Sequence, residues 1–238
     1  MMGILAAMPE ELSAVLDAAQ DVAPPETLLG REFRRATIEG TEVMLVLTGV
    51  GKVAAAATAA LLAQRVDSAI MVGTAGGLGA GVSTGDVVVA TQLLQHDFSA
   101  FPLRPRWEIP SLGTARVACD PTLTAALEAA ATDVVSRAGS KSTRHSGLLL
   151  SGDQFIASSQ AAQQLRTDHP DALAVDMESA AVAQVFHDAQ IPFAVARWIS
   201  DQADSEAPGD FQEFINNTAA PYAHALVVSA LTRLAFVS

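Results

Sequence analysis

A single cysteine, Cys119, in 238 residues leaves no partner for an intrachain disulfide, and no C-x-x-C or H-E-x-x-H spacing marks a zinc site. The compartment this favours is the cytoplasm, and neither a metal nor a cofactor is expected. Basic residues are also scarce: fourteen Lys and Arg face twenty-six Asp and Glu, a net charge of -12. They are scattered rather than clustered, which disfavours binding to nucleic acid phosphates and leaves small molecules as the expected ligands. The N-terminus Met1-Met-Gly-Ile-Leu-Ala-Ala-Met8 lacks a basic flank, and its apolar run stops at Pro9, reading as too short for a signal h-region or a membrane span. Linkers, repeats and low-complexity segments are absent too, so one domain spanning residues 1–238 is expected. Against these absences, half of the residues are hydrophobic and only 17% are charged, the balance of a compact α/β enzyme or of a protein with an oligomer interface.

Periodicity places the elements. Residues 3–8 read as a buried strand, with Pro9 opening a helix whose first turn carries Glu10 and Glu11. Residues 31–38 and 42–47 flank Glu39-Gly-Thr41 as a hairpin, and 53–64 form an Ala-rich helix. Strands are expected at 68–72, 87–94, 145–151, 173–176 and 191–199, and helices at 121–137, 159–168, 177–187 and 211–235. The segment 96–113 holds three prolines with Arg104, Arg106 and Trp107, an irregular loop long enough to act as a lid or an interface arm. Strands without polar alternation, separated by helices, indicate a three-layer α/β/α domain around a central mixed sheet.

Two carboxylates stand in apolar surroundings: Glu178 in Ala174-Val-Asp-Met-Glu-Ser-Ala-Ala-Val182, and Asp201 at the end of Phe193-Ala-Val-Ala-Arg-Trp-Ile-Ser-Asp201. Each forgoes hydration and needs a partner or a reaction to serve. For Asp201 the competing reading is a helix N-cap role for it or for Ser200. Glu11 lies at the carboxyl edge of the first strand, where open α/β sheets bind ligands, but a solvated helix-dipole glutamate is an equal alternative, and Glu10 reads as just that. The run Gly73-Thr-Ala-Gly-Gly77 offers amide donors and close backbone approach, although such runs are more often tight turns, and it matches neither a dinucleotide fingerprint nor a P-loop. Gly49 and Gly51 can equally just start a helix. Phe155 and Ile156, in a Gly-bearing loop, suit a flat ligand or simply the core. Of five unpaired histidines only His96, at the start of the long loop, is singled out.

Together these segments resemble the purine nucleoside phosphorylase and uridine phosphorylase superfamily, and within it the 5'-methylthioadenosine/S-adenosylhomocysteine nucleosidases. The resemblance is carried by Ala7-Met-Pro-Glu-Glu11, Gly49-Val-Gly-Lys52, Gly73-Thr-Ala-Gly-Gly77, Gly85-Asp86, Ser151-Gly-Asp-Gln-Phe-Ile156, Val175-Asp-Met-Glu178, Arg197-Trp-Ile-Ser-Asp201 and Phe211, in the family's order. It implies hydrolysis of an adenine N-glycosidic bond through an oxocarbenium-like transition state. On this resemblance Asp201 protonates adenine N7, Glu11 activates water, and Glu178 binds the ribose hydroxyls. Thr74, Ala75 and Gly76 contribute the glycine-rich edge of the substrate site. Phe155 stacks on the base, the main chain at Ile156 reads its edge, and Met177 lies along the ribose. Arg197 and Ser200 support Glu178 and Asp201, while Met8, Val50 and Phe211 wall the ribose and alkylthio pocket.

The resemblance further implies a homodimer, with the 96–113 region at the interface. Asp176 and Thr74 stand where the family often has Glu and Ser, and the 96–113 loop departs from the family's versions. Phosphorylases of the superfamily carry an Arg after the first strand and another two residues before the Gly-Ser/Thr turn. Here these places hold Met8-Pro-Glu-Glu-Leu12 and Met71, so water rather than phosphate is the implied nucleophile. A futalosine-type nucleosidase, a phosphorylase and a non-catalytic nucleoside sensor are the alternatives.

Overall fold

The first strand, β1 (Met2–Ala6), is buried at all five positions, as a strand covered on both faces must be. In the computed structural model, which describes residues 1–137 and 142–235, Pro9 then opens α1 (Pro9–Asp17) where a missing N–H costs nothing. A short strand, β2 (Glu26–Leu28), leads to the hairpin of β3 (Arg31–Ile38) and β4 (Thr41–Leu47). The hairpin turns through Glu39 and Gly40, both left-handed, at φ 49° and 73°. After α2 (Lys52–Leu62) come β5 (Ser68–Gly77), β6 (Val87–Gln95), β7 (Arg116–Ala118) and α3 (Pro121–Arg137). The chain continues through β8 (Arg144–Ser151), α4 (Ser159–Asp168), β9 (Ala172–Asp176), α5 (Ser179–Asp188) and β10 (Phe193–Asp201). It ends in α6 (Ala207–Phe214), a π-helical turn (Ile215–Ala219) and α7 (Ala220–Ala235).

All ten strands join one mixed sheet, in the order β10-β6-β8-β9-β5-β1-β4-β3-β2 with β7 on β6. Because β10 also pairs with β5, the strands β5, β10, β6, β8 and β9 close on themselves, and β1, β4, β3 and β2 extend from β5 as a wing. Against one face pack α1, α3 and α7, through Leu12, Val15, Leu127, Leu226, Val227 and Leu231. Against the other pack α2 and α5, through Ala55, Ala59, Leu62, Val182 and Phe186. Small residues on α2 let it approach the sheet closely, which is why this helix is Ala-rich. The expected α/β/α layering is therefore present, and the closure of five strands is added to it.

Several boundaries differ from expectation. The strand expected at 68–72 runs on to Gly77, because Thr74, Ala75 and Gly76 pair with Trp198, Ile199 and Asp201 of β10. The helix expected from Met177 begins at Ser179, leaving Met177 and Glu178 in the turn before it. The helix expected at 211–235 starts earlier, at Ala207, and is interrupted by the π turn. Pro221 supplies the reason: it has no N–H for the i−4 carbonyl and its ring crowds that carbonyl, so the ladder widens ahead of it. The strands β2 and β7 were not expected.

The topology gathers carboxyl ends. β1, β4, β5 and β10 run parallel in neighbouring pairs, whereas β9 meets β5 antiparallel over Val175↔Gly76 and Ala174↔Gly77 alone. Since that contact lies at the last residues of both strands, the two groups of parallel strands deliver their carboxyl ends to one place. Open α/β sheets bind their ligands at such a place.

Candidate functional site

Where these strand ends meet is a cavity of about 420 Å³. The turn after β1 supplies Met8 and the first turn of α1 supplies Glu11, the turn after β4 supplies Val50, and the end of β5 carries Thr74, Ala75 and Gly76. The loop after β8 contributes Phe155 and Ile156, β9 leads into Met177 and Glu178, and β10 brings Arg197, Ser200 and Asp201. Phe211, from α6, stands edge-on to Phe155 with ring centroids 5.7 Å apart. Every residue that the sequence singled out for catalysis or substrate binding thus lines one cavity.

Ala7, Gln154, Val175 and Asp176 line it as well without having been assigned a role. His96 does not: it sits behind the loop after β8, with its Nε2 buried and unpartnered among the described residues and its pKa lowered by burial. Trp107 also turns inward. It donates from Nε1 to the His96 carbonyl at 3.0 Å and lies 4.4 Å from the His169 ring, so the exposed apolar side chains of the 96–113 loop are Phe101 and Leu103.

Arg197 is the centre of the buried charge. This side chain is almost wholly buried; its Nε donates to Asp176 Oδ2 at 2.8 Å, its Nη1 to the Val72 carbonyl at 3.1 Å, and its Nη2 to Ser179 Oγ at 3.0 Å. Nη2 also lies 3.6 Å from Glu178 Oε2. Asp176 is saturated in turn, accepting from Ser151 Oγ at 2.5 Å, from the hydroxyl of Ser179, and from the backbone N–H groups of Glu178 and Ser179. It both satisfies the N–H groups that lead into α5 and holds the guanidinium. The guanidinium in turn explains Gly73: a Cβ there would lie 1.9 Å from Arg197 Nη1.

Three further carboxylates surround the cavity. Glu11, 1% exposed beside an exposed Glu10, accepts the Met8 N–H at 3.1 Å and the Thr74 hydroxyl at 3.2 Å. Burial raises its pKa against the opposing Arg197 charge and these donors. Glu178 accepts the Gly51 N–H at 2.9 Å, and burial followed by the charge of Asp176 pushes its pKa up to about 7. Asp201 accepts the Ala203 N–H at 2.9 Å on one oxygen and the Ser200 hydroxyl at 2.8 Å on the other. Its pKa is raised, first by burial and then by Asp210 and Asp204. The site therefore holds acids that keep protons to higher pH than ordinary carboxylates, the condition for proton transfer near neutrality. Among the described residues no cluster of three His, Cys, Asp or Glu could hold a metal ion, and no helix is long and apolar enough to cross a membrane.

A family model described as "Phosphorylase superfamily" matches residues 2–232. The chain belongs to the phosphorylase superfamily. Three superfamily members of known structure illustrate where it sits. The 5'-methylthioadenosine/S-adenosylhomocysteine nucleosidase of Neisseria meningitidis, in complex with methylthio-immucillin-A, is 31% identical over 98% of each chain with a TM-score of 0.89. That of Colwellia psychrerythraea, in complex with adenine, is 30% identical over 98% of this chain and 95% of its own, with a TM-score of 0.90. The futalosine hydrolase of Helicobacter pylori is also 30% identical, over 98% and 97%, with a TM-score of 0.83. Within the superfamily the chain thus falls among the N-glycosyl hydrolases.

Proposed function

We propose that the protein hydrolyses the N-glycosidic bond of 5'-methylthioadenosine, S-adenosylhomocysteine or both, releasing adenine and the 5'-thio-pentose. The observation that carries this reading is the charge of the cavity wall: among the described lining residues Arg197 is the only cation, and it is committed to Asp176, Ser179 and the Val72 carbonyl. A phosphate dianion buried there would lack partners, whereas a neutral water beside Glu11 would find an acceptor. The position two residues before Gly73 is Met71, whose sulfur itself faces the guanidinium at 3.4 Å.

In the proposed reaction Asp201 gives its proton to adenine N7, which draws electrons out of the C1'–N9 bond and lets the base leave neutral. Positive charge grows on the ribose as the bond lengthens, and Glu178 steadies it while holding the hydroxyls. Water adds to C1' and passes a proton to Glu11. Phe155 stacks on the base, Met177 lies along the sugar, and Met8, Val50 and Phe211 wall the 5' substituent. This arrangement, an acid on the leaving group and a base behind water, is the logic of glycoside hydrolysis. It also distinguishes an enzyme from a nucleoside sensor, since a sensor has no use for two buried acids with raised pKa.

Base release from 5'-methylthioadenosine is expected at the same rate in phosphate-free and phosphate-containing buffer, giving free pentose. Turnover that requires phosphate and yields a pentose 1-phosphate would replace hydrolysis by phosphorolysis. A panel adding S-adenosylhomocysteine, unsubstituted adenosine and futalosine separates the 5' specificities, and futalosine turned over fastest would move the assignment to the rival nucleosidase.

The working unit in this proposal is a homodimer in the cytoplasm that uses no metal. Val53, Phe101 and Leu103 are 82%, 69% and 88% exposed, apolar side chains that suit burial against a second copy. Sedimentation at micromolar concentration is expected to give the dimer mass; a monomer would contradict this.

A further inference from the structure

The turn before α2 and the loop after β8 both line the cavity, and a ring of three hydrogen bonds, through residues that do not line it, ties them together. Lys52 donates its backbone N–H to Asp153 Oδ1 at 2.7 Å and its Nζ to Asp97 Oδ1 at 2.6 Å. Asp97 closes the ring by accepting the Asp153 N–H on its other oxygen at 2.8 Å. Lys52 Nζ also reaches Gln95 Oε1 at 3.2 Å, and Gln95 donates to Gln184 of α5 at 2.8 Å. The ammonium and the Asp97 carboxylate are largely shielded, with side-chain exposures of 17% and 24%. Burial works against the Asp97 charge, but Lys52 and the Asp153 N–H outweigh it and hold the carboxyl below the usual range. Gly51, at φ 92°, brings the two segments close: a Cβ there would lie 3.2 Å from Asp153 Oδ1.

We infer that Lys52, Asp97 and Asp153 form a latch that positions the two walls of the substrate site, and that Lys52 and Asp97 are positioning residues for Glu178. A part-exposed ion pair contributes little to folding by itself, so the consequence of this one lies in what adjoins it. On one side of Lys52 are Val50, a wall of the cavity, and Gly51, whose N–H meets Glu178 Oε1 at 2.9 Å. On the other side, Asp153 precedes Gln154, Phe155 and Ile156, which also line the cavity. Breaking the latch changes no lining side chain but frees the walls to separate, and weakens the only backbone donor to the Glu178 carboxylate among the described contacts. The consequence for catalysis rests on the role proposed above for Glu178; the mechanical coupling does not.

The test uses full-length Lys52→Met and Asp97→Asn, with Lys52→Arg as the conservative control. Hydrogen exchange of the ligand-free protein is expected to quicken in both 49–52 and 152–156 in each of the first two variants; quickening on one side alone, or on neither, would overturn the latch. In turnover of 5'-methylthioadenosine, KM is expected to rise about tenfold with kcat within about threefold of wild type, and Lys52→Arg to restore most of the affinity. The pH profile separates positioning from a loss of folded protein. With its Gly51 donor weakened, the Glu178 carboxylate takes up its proton at higher pH, so the acid limb of kcat/KM moves upward, whereas fewer folded molecules lower the whole curve without moving the limb. An unmoved limb together with an unchanged KM would overturn the positioning role. Wild-type protein that releases no adenine would instead refute the proposed function, and the exchange experiment would still decide the latch.

Discussion

Asp201→Asn is expected to lower kcat for adenine release by roughly 10²- to 10⁴-fold, the range of a general acid's contribution, while leaving nucleoside binding close to wild type. The amide keeps the shape: its oxygen can still accept the Ala203 N–H at the position of Oδ1, and its NH2 at that of Oδ2 can donate to the Ser200 hydroxyl, which turns its own proton to the Ala75 carbonyl 3.4 Å away, so the end of β10 has little reason to shift. What it cannot do is release a proton to the base. The native carboxyl is suited to that step because burial, with Asp210 and Asp204 adding to it, raises its pKa above that of an ordinary aspartate. The sign follows directly: a raised pKa keeps the acid form to higher pH, and activity falls as pH rises through it. Residual turnover in Asp201→Asn should therefore lose that basic limb. Steady-state assays from acid to alkaline pH, beside binding of a nucleoside analogue, check both parts; a variant retaining more than a few per cent of kcat would remove Asp201 from the acid role.

The contrast between Glu10 and Glu11 shows what local sequence conveys and what it does not. Both sit in the first turn of α1 and suit its dipole equally, yet Glu10 is exposed and Glu11 is buried against Thr74. Only the pairing of β1 with β5 decides between them, and that pairing joins residues more than sixty positions apart. Long buried strands such as β5 and β10 were legible because an apolar run covered on both faces needs no alternation. β2 and β7, three residues each, are strands only because a neighbour pairs with them, and they carry no pattern of their own. The closure of β10 onto β5 likewise has no local signal. The placement of the candidate site residues followed from motifs at strand ends, whereas Asp176 drew notice only as a family departure. Its burial depends on Ser151, Ser179 and Arg197, three segments that only the fold assembles.

Glu11→Gln is expected to cost kcat a similar roughly 10²- to 10⁴-fold, since a neutral amide cannot take the proton of the attacking water. Gln is the informative substitution. Its carbonyl oxygen still accepts the Met8 N–H or the Thr74 hydroxyl, while Glu11→Ala would strand both donors in a buried site and confuse catalysis with folding. The loss of charge has its own signature. In the native site the negative charges of Asp176, Glu178 and Glu11 all surround Arg197, and those of Asp176 and Glu11 both hinder ionisation of Glu178. Removing the charge at residue 11 lifts one such hindrance from Glu178, whose pKa stands at about 7, so it should ionise at lower pH in the variant. The acid limb of the residual activity is then expected to move downward, opposite to the shift expected on breaking the Lys52–Asp97 latch. Both shifts can be read from kcat/KM profiles measured in one buffer series at constant ionic strength. If Glu11→Gln retains most of its kcat, another group must activate the water and the base assignment fails; if kcat collapses with the limb unmoved, Glu11 acts as base but its charge is not felt at Glu178.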